Sequence, residues 1–271
     1  MSLPPLYVTF GYHQVEITTP IPDIHATLTL WFIAMLEPQP VNIIKQVQIT
    51  PAADGYLMQA GETVDEIIQE QLWLLQAVKY EVVTGLIAAR PDLLWFHAGA
   101  VADEKGAIVV AGAGGSGKST LVTHFYQQGW RYLSDDVIPL DLATGNILPF
   151  PQTPRVRRSM GELVPSDRLT EVPKFEVRLE RDRVCREAMP IRAIVFVQYS
   201  PDVFTQVSPC SPGTAAIELL RNCINFSEHK QAAMQQISEL AKQVFVCQAS
   251  FDRAEKVIYC LKGELKYRCS Q

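Results

Sequence analysis

The sequence predicts a mixed α/β protein in two parts, a small, mostly β unit over residues 1–60 and a larger α/β domain over residues 61–271. Three observations predict it: short β-type segments at the start, a long helical pattern after them, and then a strand, a glycine-rich loop and a helix in direct succession. Of the 271 residues, 48% are hydrophobic and 20% are charged, which is typical of a folded globular chain.

The first 60 residues carry the β signal. Segments 6–18 and 41–50 are rich in Val, Ile, Tyr and Thr, and prolines bound them. From residue 62 to residue 89 the chain has no proline, and its apolar residues recur at helical spacing. We therefore predict one long helix there, which ends before Pro91 and packs against the domain that follows.

The net charge of −5 is unevenly distributed, because residues before His97 include three basic and ten acidic side chains. This balance argues against a nucleic-acid or anionic-lipid partner. The apolar stretch over residues 28–36 is too short to span a bilayer, and the first residues lack the pattern of a secretory signal. We therefore expect a cytoplasmic protein without a membrane partner.

The most informative region begins with two buried strands, predicted over residues 93–101 and 107–111. The second leads directly into residues 112–120, a full match to GxxxxGK[ST], the Walker A pattern of P-loop proteins, and a helix is predicted over residues 121–128. The predicted nucleotide-binding residues are Gly112, Gly114, Gly115, Ser116, Gly117, Lys118, Ser119 and Thr120.

The spacing of this motif follows from phosphate chemistry. Glycines let backbone N–H groups wrap a phosphate chain, and the helix that follows directs its positive end at the same anion. Lys118 is then placed to reach the β- and γ-phosphates, and the Ser119 hydroxyl can bind magnesium. The alternative is a structural turn with an exposed lysine, but so many glycines would weaken a loop that held no ligand.

Two adjacent carboxylates, Asp135 and Asp136, follow a predicted strand over residues 130–134. A nucleotide site needs an acid for magnesium, and a transferase also needs a base. Adjacent residues on an extended segment point to opposite sides, so one of the pair can face the metal and the other the reaction centre. The alternative is a simple turn, in which Asp is common.

His97 and an arginine cluster complete the candidates. His97 lies in Phe96-His97-Ala98-Gly99-Ala100, just before the strand that carries the loop, although a lone histidine among apolar neighbours is often a core residue. Arg155, Arg157 and Arg158 could bind a γ-phosphate or an acidic acceptor, or could form a solvated face. Arg155 is the best single substrate-binding candidate, because it shares a face with Arg157 in a strand and with Arg158 in a helix.

The rest of the chain is predicted to be scaffold. We predict strands over residues 191–199, 204–207 and 244–247 and helices over residues 214–223 and 228–243. Trp31, Trp73 and Trp95 lie in apolar surroundings and are predicted to be core residues.

At these positions the sequence resembles a known family. His97-Ala98-Gly99, the loop from Gly112 to Ser119 and Ser134-Asp135-Asp136 look like the catalytic core of HPr kinase/phosphorylase. They look still more like its shorter relatives found beside peptide-modification genes, including lasso-peptide kinases. The resemblance covers residues 93–150, and the proline-rich segment before Arg155 also recurs in those relatives.

The resemblance implies a PEP-carboxykinase-like P-loop domain that transfers phosphate from ATP, with magnesium, to a serine hydroxyl of a small protein or peptide. It implies that Asp135 is the catalytic base, that His97 lies beside it, and that Asp136 binds metal or supports the site. The family signature Glu-Val-Arg-Gly lacks its glycine here, because Leu179 follows Arg178. HPr as the acceptor and the reverse, phosphate-driven reaction are therefore not implied.

Two functions remain open on the sequence. The first is this kinase, in which Lys118 acts with the carboxylates. The alternative is a nucleotide-binding regulatory or scaffold module with weak ATPase activity, which needs one metal-binding acid but no base. The identity of the acceptor, the assignment of the two carboxylates and the oligomeric state, with a homo-oligomer among the alternatives, also remain open.

Overall fold

The computed structural model describes residues 3–61, 66–157 and 174–268, and it divides into two compact units, Met1–Pro91 and Asp92–Gln271. Both units combine strands and helices, so the predicted mixed α/β class is confirmed. The chain divides after Pro91, later than the predicted boundary after residue 60. No helix in the described part of the chain is long and apolar enough to cross a membrane.

The first unit is built on a six-stranded sheet with the order β3-β1-β2-β4-β5-β6. Its strands are β1 (Leu6–Phe10), β2 (His13–Thr18), β3 (Leu36–Glu37), β4 (Ile43–Ala52), β5 (Gly55–Ala60) and β6 (Glu66–Ile68). Strands β1, β2 and β4 occupy the two segments that the sequence predicts as β. Buried residues alternate with less buried ones along β1, as expected of a sheet with one packed face.

Two helices belong to this unit, α1 (Pro22–Phe32) and α2 (Gln71–Ala88). Helix α1 was not predicted, because Pro22 resembles a strand boundary but occupies the first turn of the helix, where a missing N–H is tolerated. Helix α2 is shorter than the predicted helix, since residues 66–68 form β6. It contacts β2, β4 and β5, so it packs against the N-terminal sheet and groups with the first unit.

The second unit contains a nine-stranded mixed sheet. Its strands are β7 (Leu93–Phe96), β8 (Ala98–Asp103), β9 (Gly106–Ala111), β10 (Arg131–Ser134), β11 (Ile138–Asp141), β12 (Asn146–Ile147), β15 (Met189–Tyr199), β16 (Gln206–Pro209) and β17 (Phe245–Phe251). A separate two-stranded sheet pairs β13 (Arg155–Arg157) with β14 (Lys174–Glu176). The helices are α3 (Lys118–Gln127), α4 (Pro212–Asn222), α5 (Phe226–Gln243) and α6 (Ala254–Arg268).

Strand β9 lies inside the large sheet, with β8 antiparallel on one side and β15 parallel on the other. Beyond β8 lies β10, and β15 also pairs in parallel with β17, which carries β16 at its far edge. All six residues of β9 are buried. The end of this strand therefore lies between two flanks, one made by β8 and β10 and the other by β15 and β17.

Several scaffold predictions are confirmed within small shifts of their ends. The strand predicted over residues 191–199 is β15, and the helices predicted over residues 214–223 and 228–243 are α4 and α5. The strand predicted over residues 93–101 is two strands, because the chain is interrupted at His97. Trp31 and Trp95 are core residues, as predicted. The prediction for Trp73 is wrong, because this side chain lies outside the buried face of α2 and 64% of its surface is exposed.

Candidate functional site

The glycine-rich loop joins β9 to α3. Gly112 and Gly117 have positive φ angles of 149° and 94°. A Cβ atom on Gly112 would lie 2.7 Å from the carbonyl oxygen of Val197, and one on Gly117 would lie 2.7 Å from Cζ of Phe251. At these two positions both the backbone conformation and the surroundings require glycine.

The middle of the loop is open. A Cβ atom on Gly114 or Gly115 would have no heavy atom within 4 Å, and Gly115 has a φ of 79°. Ser116 is 2% exposed, and its Oγ has no hydrogen-bond partner among the described residues. The backbone N–H of Ser116 donates to the carbonyl of Ala113, and its carbonyl accepts from Tyr199 at 2.9 Å. The loop therefore forms a backbone concavity of the kind that binds anions.

Lys118 lies across the loop. Its Nζ donates to the carbonyl oxygens of Gly112 at 2.8 Å and Ala113 at 3.0 Å. Burial lowers the pKa of Lys118, while the charges of Asp136 and Asp135 act in the opposite direction. The ammonium is thus close to both carboxylates and poorly hydrated, which strengthens its attraction for a further anion.

The first turn of α3 faces the same concavity. Among the described residues no side chain caps this helix, whose N-cap is Gly117. The first N–H groups of a helix have no partner within the helix and attract phosphate. Ser119 and Thr120 are half-buried in this turn. Together with the open loop, these groups fit a phosphate chain, and the hydroxyl of Ser119 is of a kind that can bind magnesium beside substrate phosphates.

The register of the sheet brings the other predicted residues to this end. Ala98 of β8 pairs with Ala111 of β9, so the preceding residue, His97, lies level with the start of the loop. On the other side of β8, Ser134 of β10 pairs with Ala100. The two carboxylates that follow Ser134 therefore emerge beside His97 and the loop.

His97 and Asp136 form a pair at the surface. Nδ1 of His97 lies 3.5 Å from Oδ1 of Asp136, and their side chains are 41% and 46% exposed. The backbone of His97 is held by its N–H, which donates to the carbonyl of Asn222 at 2.7 Å. Asp136 has a φ of 77°, a left-handed conformation that aspartate tolerates better than most residues.

Asp135 is in a different environment, with 5% of its surface exposed. A Cβ atom on Gly99 would lie 3.3 Å from Oδ1 of Asp135 and 2.7 Å from Cγ2 of Val122. The missing side chain at Gly99 therefore lets both this carboxylate and α3 approach β8. The two adjacent acids are thus separated into one buried and one exposed group.

Hydroxyl groups of β10 support this arrangement by donating to backbone carbonyls, including two of the proline-rich segment. The hydroxyl of Ser134 lies within hydrogen-bond distance of the carbonyl oxygens of Val137 and, at 2.7 Å, Phe150. The hydroxyl of Tyr132 donates to the carbonyl of Gln152 at 2.5 Å. Burial and the nearby carboxylates raise the pKa of Tyr132 well above its usual range, so this phenol stays a donor. These bonds fix the turn that carries the two acids.

Arg155 is a mostly buried residue of β13. Strand β13 contacts α3, and the Arg155 side chain is 13% exposed, with its Nε 3.4 Å from Oε1 of Glu176. Burial lowers the pKa of Arg155, and the charges of Glu176 and Asp136 oppose that shift. Arg155 is therefore close enough to Asp136 to sense its charge while it also forms a structural ion pair.

A further cation, Lys174, was not predicted from the sequence. Its charge lowers the pKa of Lys118, so it lies near the loop, and it pairs across β13 and β14 with Arg157. No local pattern marks Lys174, because strand pairing between distant residues brings it to the site. Arg158 lies outside the described residues.

Comparisons with known proteins add little. No protein-family model and no curated protein matches the sequence. Among solved structures, the chain is similar to the HPr(Ser) kinase/phosphatase from Coxiella burnetii, with 12% sequence identity, a TM-score of 0.34 and coverage of 65% of this chain and 99% of that one. A likeness this weak carries no functional weight, so the function must follow from the site itself.

Proposed function

We propose that the protein is a kinase that uses ATP and magnesium to phosphorylate a hydroxyl group, by family resemblance a serine of a small protein or peptide. One observation carries the proposal: the open glycine loop, the buried Lys118 and the His97–Asp136 pair meet at one end of the sheet. A phosphate-binding loop alone suits any nucleotide-binding module. A carboxylate with a histidine beside it adds a group that can accept the proton of a hydroxyl.

The antiparallel neighbour of the loop strand supports a more specific fold assignment. Strand β8 runs antiparallel to β9 and carries His97 at its start, whereas β15 runs parallel. A mixed sheet around the loop strand agrees with a PEP-carboxykinase-like P-loop domain better than with an all-parallel nucleotide-binding sheet. We include that assignment in the proposal.

The loop residues hold the phosphates in this proposal. Backbone N–H groups around Gly114 and Gly115 and in the first turn of α3 contact the phosphate oxygens, and Lys118 neutralises charge that builds up on the leaving phosphate. Magnesium supplies further positive charge to the phosphates and lowers the cost of nucleophilic approach. Ser119 is the hydroxyl ligand proposed for it.

The different exposure of the two acids favours a division of roles. A base must reach the acceptor hydroxyl, and Asp136 is exposed and has His97 beside it. Asp135 is buried at the end of β10, where an acceptor hydroxyl reaches it less easily, as suits the acid that supports the metal. We therefore propose Asp136 as the base and Asp135 as the metal-side acid, which reverses the roles that the family resemblance implies.

In the transfer step, the acceptor oxygen attacks the γ-phosphorus as its proton passes to the Asp136 carboxylate, and the bond between the γ-phosphorus and the bridging oxygen breaks. The products are a phosphorylated acceptor and ADP. His97 orients Asp136 and shares the proton. Arg155 is proposed to hold the acceptor or the transferred phosphoryl group through its guanidinium.

The experiment that tests this proposal uses ATP labelled in its γ-phosphate. The protein is incubated with labelled ATP and magnesium, with and without lysate from its own source, and phosphorylated proteins and peptides are identified by mass. We expect a new phosphoserine that is absent when Lys118→Ala replaces the wild type. Tight ATP binding without a phosphorylated product in any lysate would contradict the kinase and favour a nucleotide-binding module.

A further inference from the structure

A groove with a volume of about 460 Å³ lies between the loop after β15 and the first turns of α6. It is lined by Phe204, Thr205, Glu255, Lys256, Tyr259 and Cys260. Phe204 is 94% exposed and Tyr259 is 82% exposed. The volume is in the range of small-molecule sites, and two large aromatic side chains are exposed at the same groove.

Both walls of this groove begin at residues that touch the glycine-rich loop. The backbone N–H of Tyr199 donates to the carbonyl of Ser116 at 2.9 Å, and the chain then continues through Ser200 to Phe204. Phe251 packs against Gly117, and its chain continues into α6. The two segments that line the groove are therefore each joined by a short stretch of chain to a residue that contacts the loop.

The order of strands gives the direction in which a nucleotide would extend. The order β10-β8-β9-β15 places the carboxylates and His97 on one flank of the loop, whereas β15 and its parallel partner β17 lie on the other. The phosphoryl group that is transferred must face the base, at the β8 and β10 flank. The nucleoside end of the same molecule must then leave toward β15 and β17, where the groove lies.

Two polar residues of the groove, Thr205 and Lys256, are both hydrogen-bonded to Asp252. Thr205 Oγ1 donates to Oδ1 of Asp252, and Lys256 Nζ donates to its Oδ2, each at 2.7 Å. These two bonds lower the pKa of Asp252 to about 2, so the carboxylate is charged in all ordinary buffers. Glu255 stands at the rim with its side chain 55% exposed. Its Oε1 lies 3.4 Å from Nδ1 of His124, and the exposed part of the carboxylate can accept a hydrogen bond from a ligand.

We propose that this groove holds the purine base of the nucleotide, stacked on Phe204 and Tyr259, with Glu255 accepting a hydrogen bond from a ring N–H or amino group. A flat heteroaromatic ring suits such a site because base–aromatic stacking needs two faces and little hydrogen-bond geometry. The inference rests on the proposed function, since it assumes that a nucleoside triphosphate occupies the loop.

The test compares the dissociation constants of ATP and inorganic tripolyphosphate, both with magnesium, by calorimetry. Tripolyphosphate reports on the loop alone, and ATP reports on the loop and the groove. Phe204→Ala and Tyr259→Ala are each expected to weaken ATP binding about 5- to 100-fold and to leave tripolyphosphate binding within about twofold. Ile217→Ala, which truncates an exposed apolar residue of α4 outside the groove lining, is the matched control and should change neither constant.

The outcomes separate this inference from the proposed function. If the wild type binds ATP no more tightly than tripolyphosphate, or if both aromatic variants keep the wild-type ATP affinity, the base lies elsewhere. If the variants raise only the KM of the acceptor, the groove holds the acceptor and the inference is overturned. If neither ligand binds the wild type, the proposed nucleotide site itself fails.

Discussion

The two flanks of the glycine-rich loop differ in both composition and exposure. On the β8 and β10 flank, charged groups lie close together, with His97 and Asp136 3.5 Å apart and Asp135 buried beside them. On the β15 and β17 flank, the groove presents two aromatic rings that are almost fully exposed. In the proposed mechanism, the first flank carries out the transfer and the second holds the nucleoside.

The difference shows how the two tasks constrain a chain. Proton transfer requires particular groups within hydrogen-bond distance of one another, so the acids and the histidine must stand at fixed positions next to the ends of β10 and β8. Stacking requires only an aromatic face, which many positions can supply. Variants of the exposed His97–Asp136 pair should therefore change transfer and leave nucleotide affinity intact, and variants of the two aromatic residues on the other flank should do the reverse.

The largest effect is expected at the loop between the flanks. Lys118→Ala removes the ammonium that neutralises the charge building up on the leaving phosphate. We therefore expect the rate of phosphoryl transfer to fall at least about 10²-fold. The control is Lys105→Ala, in the exposed turn between β8 and β9 at the far end of the same strands. Rates of label transfer measure the effect. Wild-type turnover of Lys118→Ala would show that the loop has no part in catalysis.

The assignment of the two acids is tested by their amides. We expect Asp136→Asn to lower transfer about 10²-fold with ATP affinity unchanged, because the amide keeps the size of the side chain and loses its basicity. Asp135→Asn should instead weaken magnesium-dependent ATP binding, as measured by calorimetry with and without the metal. The opposite pattern would restore Asp135 as the base, as the family resemblance implies.

Sequence reasoning was most successful where the chemistry is local. The loop, Asp135 and Asp136 lie within 25 residues of one another, and a short turn joins β8 to the loop strand β9. His97 is visible as a candidate because it stands beside the loop strand. The exposure of Asp136 and the burial of Asp135 could not be predicted, because they depend on Gly99 and on a turn held by Ser134.

Features formed by distant segments were not predicted. Phe204 and Tyr259 are more than 50 residues apart and belong to no motif, and their segments come together through the pairing of β17 with β15 and β16. Lys174 reaches the site through its pairing with Arg157. Helix α2 was predicted to pack against the domain that follows it, but it packs against the N-terminal sheet. Apolar periodicity identifies a helix but not the sheet that the helix covers.

A smaller effect, on stability, is expected where the two flanks meet. Gly117→Ala places a Cβ at a φ of 94° and 2.7 Å from Phe251, and we expect the free energy of unfolding to fall by about 1–3 kcal/mol. Gly114→Ala, in open space, should change it by less than about 0.5 kcal/mol. Urea unfolding measures both. Equal losses in the two variants would show that Phe251 does not restrict the loop.

The smallest effect is expected from Arg155→Ala. We expect kcat/KM for the acceptor to fall about threefold to tenfold, because one partly shielded charge contact is lost. Glu176→Gln is the control, since it breaks the ion pair of Arg155 and keeps the guanidinium. If both variants lower the melting temperature alike and neither changes the kinetics, Arg155 serves only the ion pair.

The division of labour between the flanks is tested by measuring ATP affinity and phosphoryl transfer together in Asp136→Asn and Phe204→Ala. Affinity is taken from calorimetry, and transfer is taken at saturating labelled ATP with the acceptor found in the lysate. We expect Asp136→Asn to bind ATP like the wild type and to transfer at about 1% of its rate, whereas Phe204→Ala should bind more weakly and transfer at a nearly normal rate once saturated. Loss of ATP affinity in Asp136→Asn, or normal affinity with lost transfer in Phe204→Ala, would contradict this division.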